Sequence, residues 1–260
     1  MSFDNARPQP VQADLDLTIQ MIAPLSVGAA GSRGGMADKP IQRDAWNRPI
    51  IPGSQIKGRI RHACERLARM LEHPVCHAPY PTMCPYDPSI HLHLTRQTRE
   101  RLHRERVRGT AYEDTPVQCL ICALFGSSLY PSPLAFGDAI HQPPLQGETP
   151  PTKPLDVTGQ LRPGVGLDRW RRTAQEEIFY TIETTDAGII LQSRISGRWD
   201  DTPADEVRSL VALLTAGARL SRRWGGSSSR GLGWAVVTVQ ARVAGEALDP
   251  QALLEEVPLP

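Results

Sequence analysis

The stretch 49–61, Pro-Ile-Ile-Pro-Gly-Ser-Gln-Ile-Lys-Gly-Arg-Ile-Arg, constrains the chain more than any other. An apolar extended pair runs into a Pro52-Gly53 turn, and a basic amphipathic helix has to follow at once. Ser54 stands where an N-cap hydroxyl would accept from the orphan amides of the first turn. Those amides, with Lys57 and Arg61 one and two turns on, make either an anion seat or an ordinary capped helix with a solvated basic face.

The helix carries Ile56, Ile60, Ala63, Cys64, Leu67 and Leu71 on one stripe and Lys57, Arg61, Glu65, Arg66 and Arg69 mainly outside it. Cys64 is expected as a core thiol and His62 as a surface residue. Upstream, Leu15, Leu17, Ile19 and Met21 alternate with polar residues over 14–22, the period of a half-buried strand. A small, Gly-rich loop at 26–35, Asp38, and an extended run at 41–51 complete the approach to the helix. Asp44, within that run, is expected to be structural.

Downstream, 134–141 reads as a short strand, and a Pro-rich excursion follows at 142–166. The runs 178–184 and 189–195 alternate around Asp186-Ala-Gly188 and predict a hairpin. Thr202, Pro203 and Asp205 predict a helix start, with Val207, Leu210, Val211 and Leu214 on its core face. A last strand is expected at 234–243. Strand, helix, hairpin, helix, strand is the α+β, ferredoxin-like (RRM-like) βαββαβ plan. At 260 residues the chain suits a single elaborated domain spanning 1–260.

The stretch 73–125 interrupts this plan and reads as an insertion. It holds Cys76, Cys84, Cys119 and Cys122, four soft ligands of which the last two have the knuckle spacing of tetrahedral zinc. His73, His77, His91 and His93 are nearby substitutes. A complete thiolate set leaves no open position, so the metal is expected to be structural. Five cysteines with no signal-peptide pattern and no apolar run of membrane-spanning length point to a reducing, cytoplasmic setting without membrane contact. The Arg-rich run 96–108 has almost no apolar stripe; it is either a solvated helix or an RNA or partner surface.

A net charge of +1 excludes a global polycation argument for nucleic acid, so any such binding must be local. The cations are almost all Arg, with lysine only at Lys39, Lys57 and Lys153. Arg suits bidentate phosphate contact, although such a bias also follows from genome base composition. The loop Gly225-Gly226-Ser227-Ser228-Ser229-Arg230-Gly231-Leu232-Gly233 offers bare backbone, hydroxyls and guanidinium groups for tracking a phosphate backbone. It is no Walker loop, and no Gly-x-Gly-x-x-Gly opens a helix after a strand, so nucleotide hydrolysis and dinucleotide binding are not expected.

Four motifs occur together over most of the chain: Ile51-Pro52-Gly53-Ser54-x-Ile56-Lys57-Gly58-x-Ile60-Arg61, Leu124-Phe125-Gly126, Gly164-Val165-x-Leu167-Asp168-Arg169, and Gly225-Gly226 to Ser229-Arg230-Gly231-x-Gly233. In this order they resemble the RAMP superfamily, and within it the backbone subunit that forms the filament of type III CRISPR-Cas effector complexes. The resemblance implies a palm that grips guide CRISPR RNA through Ser54, Lys57, Arg59, Arg61, Ser227, Ser228, Ser229 and Arg230. It also implies a β-hairpin thumb from the excursion 143–176, with Val165 and Arg169 at the RNA. Further implied are target-RNA cleavage by Asp38 with Mg²⁺ or Mn²⁺, and assembly with other effector subunits and copies or paralogues of the chain. A non-catalytic RNA-binding subunit, including one that caps the guide's 5′ tag, is the alternative.

Overall fold

A computed structural model describes residues 9–28, 37–73, 75–76, 84, 119–127, 131–142, 159–200 and 202–249. Residues 29–35 of the Gly-rich loop, the basic run 96–108, His77, His91, His93 and residues 143–158 of the Pro-rich segment lie outside the described residues.

The architecture is mixed α+β with antiparallel sheets. Its central strand, β1 (Val11–Met21), pairs on one side with β7 (Ile190–Trp199) and on the other with β8 (Ala235–Val243), both antiparallel. Alternation sends Ala13, Leu15, Leu17, Ile19 and Met21 inward, each at most 2% exposed. Asp14, Asp16 and Thr18 go to the other face, where Arg194 and Arg242 pair with the two carboxylates. Beyond β7 lie β3 (Leu134–Phe136) and β4 (Ala139–His141), then β2 (Ile50–Ile51) against β4; β9 (Glu246–Leu248) follows β8 at the opposite edge.

Two helices cover the inward face, α1 (Gly53–Met70) and the later α3 (Ala204–Leu220). They bury Ile56, Ile60, Cys64 and Ala68 from the first and Val207, Val211, Leu214 and Ala218 from the second. They meet where Cys64 Sγ reaches the Leu213 carbonyl at 3.5 Å and where a Cβ on Gly217 would collide with that sulfur. Burial pushes the Cys64 thiol up to about 12, so it sits in the core as a neutral group. A short helix, α2 (Leu120–Phe125), packs its Ile121, Cys122, Leu124 and Phe125 into the same core.

Five expectations are corrected. Ser54 does not cap α1: it is exposed, Pro52 holds the cap position, and the first amide, Gly53 N–H, donates to Asp138 Oδ1 at 2.7 Å. Asp138 stands in the break between β3 and β4, so 134–141 is two strands rather than one, and the break exists to deliver that carboxylate. Thr202 makes no cap bond either, since Pro203 takes the cap position of α3. The hairpin around Asp186-Ala-Gly188 is absent: β6 (Thr173–Thr184) pairs with β5 (Gln160–Asp168) in a separate two-stranded sheet, and β7 pairs with β1. Finally, 41–51 is not one extended run. Arg43 bridges back to Pro49 across a tight turn in which Asn47 has φ 62°.

Asp138→Ala removes the acceptor at the start of α1, with the carboxylate lying 85 residues downstream of the amide it holds. The expected cost is about 1 kcal/mol in urea denaturation at unchanged m-value.

Candidate nucleic-acid interface and metal centre

The segment carrying Asp38 is zipped onto three residues of β6. Asp38 Oδ2 accepts from the Thr181 amide at 2.6 Å, Lys39 N–H donates to the Thr181 carbonyl at 3.2 Å, and Glu183 N–H donates to the Lys39 carbonyl at 3.0 Å. The Glu183 carboxylate then clamps the next turn of chain, accepting from Ile41 N–H and from Arg43 Nη2, both at 2.8 Å. Asp38 is thus an exposed carboxylate fixed to the outer edge of the β5–β6 hairpin through one oxygen. Asp44 closes the turn below it, accepting from the Trp46 and Arg48 amides and the Arg48 guanidinium. Burial alone would raise the Asp44 pKa, but the bonds from Arg48 and Trp46 outweigh it and hold the carboxyl below its ordinary value.

The Gly-Ser loop is stapled to the residues that follow β1. Gly226 N–H donates to the Ser26 carbonyl at 2.7 Å and Gly233 N–H to the Pro24 carbonyl at 2.9 Å. Gly225 at φ 73° and Gly233 at φ 78° take the left-handed conformation, and a Cβ on either would strike backbone. Ser227, Ser228 and Ser229 form the single helical turn Ser228–Arg230 and its start, which leaves Ser229 and Arg230 exposed. Arg230 lies over the Tyr180 ring, 5.2 Å from its centroid, and Arg59 donates from α1 to the Gly225 carbonyl at 3.1 Å. A continuous strip results: Arg59, the Gly-Ser loop, Arg230, Tyr180, Thr181 and Asp38. A shallow cleft between hairpin and loop is lined by Arg162, Gly164, Val165, Tyr180, Arg230 and Leu232.

Not every expected residue joins the strip. Lys57 leans over the Phe136 ring, 5.9 Å from its centroid; burial and the nearby Arg61 charge lower its pKa. Val165 is exposed on β5 opposite Phe179, and Arg169 sits at the far turn of the hairpin beside Trp170, which is 94% exposed. Arg61 turns away altogether, toward the cysteines. Sequence reasoning missed Tyr180, Glu183 and Trp170. The first two carry no motif and matter only through contacts at long sequence separation; the third was legible as a Trp flanked by Arg169, Arg171 and Arg172.

Cys76, Cys84, Cys119 and Cys122 are all buried, and their sulfurs lie within 4.8 Å of one another. Bonds of about 2.3 Å in a tetrahedron place neighbouring sulfurs about 3.8 Å apart. The Cys76–Cys122 and Cys119–Cys76 separations of 3.4 and 3.7 Å fit that geometry. Hydrogen bonds among the four thiols push Cys119 down and Cys84 and Cys122 up, so the sulfurs are close enough to share protons, and a metal would have to displace those protons. This is the one group of three or more potential ligands among the described residues, and it can hold a metal such as zinc. It lies in the core against α1 and α2 rather than at the end of a detached finger.

Because the Asp44 pKa is depressed in the folded state, its stabilisation is fully present above the ordinary carboxylate value of 3.8 and is lost as pH falls through the lower folded value. Acid titration by NMR should release the Trp46 and Arg48 amides below pH 3.8, and Asp44→Asn should abolish that step.

Comparison with curated proteins finds no match. No helix among the described residues is long and apolar enough to cross a membrane. The family model described as RAMPs, RAMP superfamily, matches residues 18–236, from β1 through the Gly-Ser loop into β8. Such a domain is consistent with a CRISPR-associated RNA-binding subunit, and a match over most of the length means that the chain belongs to the RAMP superfamily.

Proposed function

We propose that the chain is a guide-RNA-binding backbone subunit of a type III CRISPR-Cas effector complex that cleaves complementary target RNA through Asp38. One observation carries the reading: the chain of contacts that runs from Arg59 through the Gly-Ser loop, Arg230 and Tyr180 to Thr181 and Asp38. The strand order β8-β1-β7-β4, with both long helices on one face, supports a ferredoxin-like palm. In this reading the chain is one RAMP domain with an insertion at 73–125. The thumb excursion assigned to 143–176 extends to the end of β6 at Thr184. Lys57, Arg59, Ser227, Ser228, Ser229 and Arg230 hold guide phosphates, and Val165 and Arg169 meet the RNA along the hairpin. The anion seat at the start of α1 is narrowed, because Asp138 already takes the Gly53 amide.

Cleavage uses the RNA's own 2′-OH. Its oxygen attacks the adjacent phosphorus, the bond to the 5′-oxygen breaks, and the proton lost by the 2′-OH is balanced by one gained at the leaving oxygen. Alignment of these groups is the main demand on the protein. Thr181 fixes the Asp38 carboxylate through Oδ2 and leaves Oδ1 for the RNA. The hairpin that carries Thr181 positions the strand against it. A Mg²⁺ or Mn²⁺ ion bound with the RNA phosphates would have Asp38 as its protein ligand and would neutralise developing charge.

The alternative, a non-catalytic RNA-binding or 5′-tag-capping subunit, is favoured by the same 2.6 Å bond read as a purely structural anchor. Asp38→Ala in the assembled complex decides between them. The expected result is a loss of target cleavage of about 100-fold or more with guide content unchanged. Unchanged cleavage removes Asp38 from the mechanism, and lost guide content makes it structural.

Lys57→Ala with Arg59→Ala should weaken guide binding at every sequence. The salt-dependence slope should fall by about 1.4, the loss of two single-strand phosphate contacts. Titrations from low to moderate salt measure this directly.

A further inference from the structure

We infer that Arg61 is the outer-sphere counter-charge of the four-cysteine metal centre, and not a contact to RNA phosphate. The inference rests on the metal reading of that centre. Arg61 projects from α1 one turn beyond Lys57, yet its side chain is only 20% exposed and all three of its nitrogens have partners. Nε donates to Glu65 Oε1 at 3.0 Å, Nη1 to the Gly126 carbonyl at 3.2 Å, and Nη2 to Cys122 Sγ at 3.7 Å. Gly126 is the C-cap of α2, the helix that Cys119 precedes as N-cap and that contains Cys122, so a single guanidinium spans from α1 to the helix carrying these candidate ligands.

A divalent ion on four thiolates leaves two net negative charges in a buried site, and such charge is costly unless it is paired or hydrogen-bonded. Among the described residues, Arg61 is the cation placed against a cysteine sulfur. A donor to a ligating sulfur both offsets that charge and fixes the ligand's orientation. Glu65 supplies the other half of the arrangement by orienting the fork from the next turn of α1.

The consequence for RNA is specific. The cations that α1 presents to a guide are Lys57 and Arg59. Arg61, although part of the same basic motif, couples the helix to the metal centre and holds α1 against α2.

The test uses the full-length zinc-loaded chain, with zinc release to a chromogenic chelator as one readout and guide-RNA salt dependence as the other. Arg61→Met should speed zinc release by about 10- to 100-fold while the RNA salt slope stays at the wild-type value. Arg61→Lys, which keeps the charge without the fork and guards against a misfolded Met variant, should fall between the two. Glu65→Gln keeps an Oε1 acceptor for the fork and should release zinc at close to the wild-type rate; release as fast as in Arg61→Met would overturn the sulfur contact as the cause. Wild-type release in both Arg61 variants, or a salt slope reduced by about 0.7 in either, would overturn the inference in favour of a phosphate contact. A wild-type chain that holds no zinc would remove the metal reading itself and this inference with it, a result distinct from zinc retained equally by all variants.

Discussion

The pairing of β1 with β7 and β8 is the constraint on which the rest of the molecule depends. Leu15, Leu17 and Ile19 are buried to 1% or less because both edges of the strand are occupied and two helices cover one face. A slip of one residue would place Asp14 and Asp16 in that core, so the register is strongly specified. Once it is set, β7 must be reached after the hairpin and left into α3, and the turn after α3 must arrive beside the exit of β1. The Gly-Ser loop lies against Pro24 and Ser26 for that reason.

The candidate interface is therefore a product of element ends and not of any one motif. The exit of β1, the loop before β8 and the base of the β5–β6 hairpin converge, and each contributes little alone. Glu183 illustrates the economy of the arrangement, since one carboxylate ties Ile41 and Arg43 to the hairpin that also anchors Asp38. The four-cysteine cluster marks a second convergence, where α1, α2 and Cys76 and Cys84 meet in the core. A metal there would tie Cys76 and Cys84 to Cys119 and Cys122 within the hydrophobic core.

Much of this was legible in the sequence because it follows from periodicity. The alternation before Ile22 placed β1, the stripe from Ile56 to Cys64 placed α1, and the run from Val207 to Leu214 placed the core face of α3. The cysteine set was legible from spacing, although Cys76 and Cys84 are looser than a usual knuckle. What failed were local rules overridden by distant partners. Ser54 has the right type and place for a cap, but Asp138 reaches the Gly53 amide from the break between β3 and β4, 85 residues away. The 178–184 alternation correctly signals a strand, yet nothing in it says whether its partner precedes or follows it, and β5 wins over β7. Arg61 looks identical to Lys57 in a basic helix. Only the position of Cys122, 61 residues away, distinguishes it.

As proposed, the strip from Arg59 to Asp38 holds a guide RNA inside a multi-subunit complex and presents a target for cutting. Purifying the complex that assembles around the full-length chain, sequencing the RNA it carries and mapping the cuts it makes in a complementary RNA tests this most directly. CRISPR-derived guide RNA in the complex and target cuts at regular intervals within the guide-target duplex are the expected result. Complexes free of RNA, or carrying RNA unrelated to such guides, would contradict it.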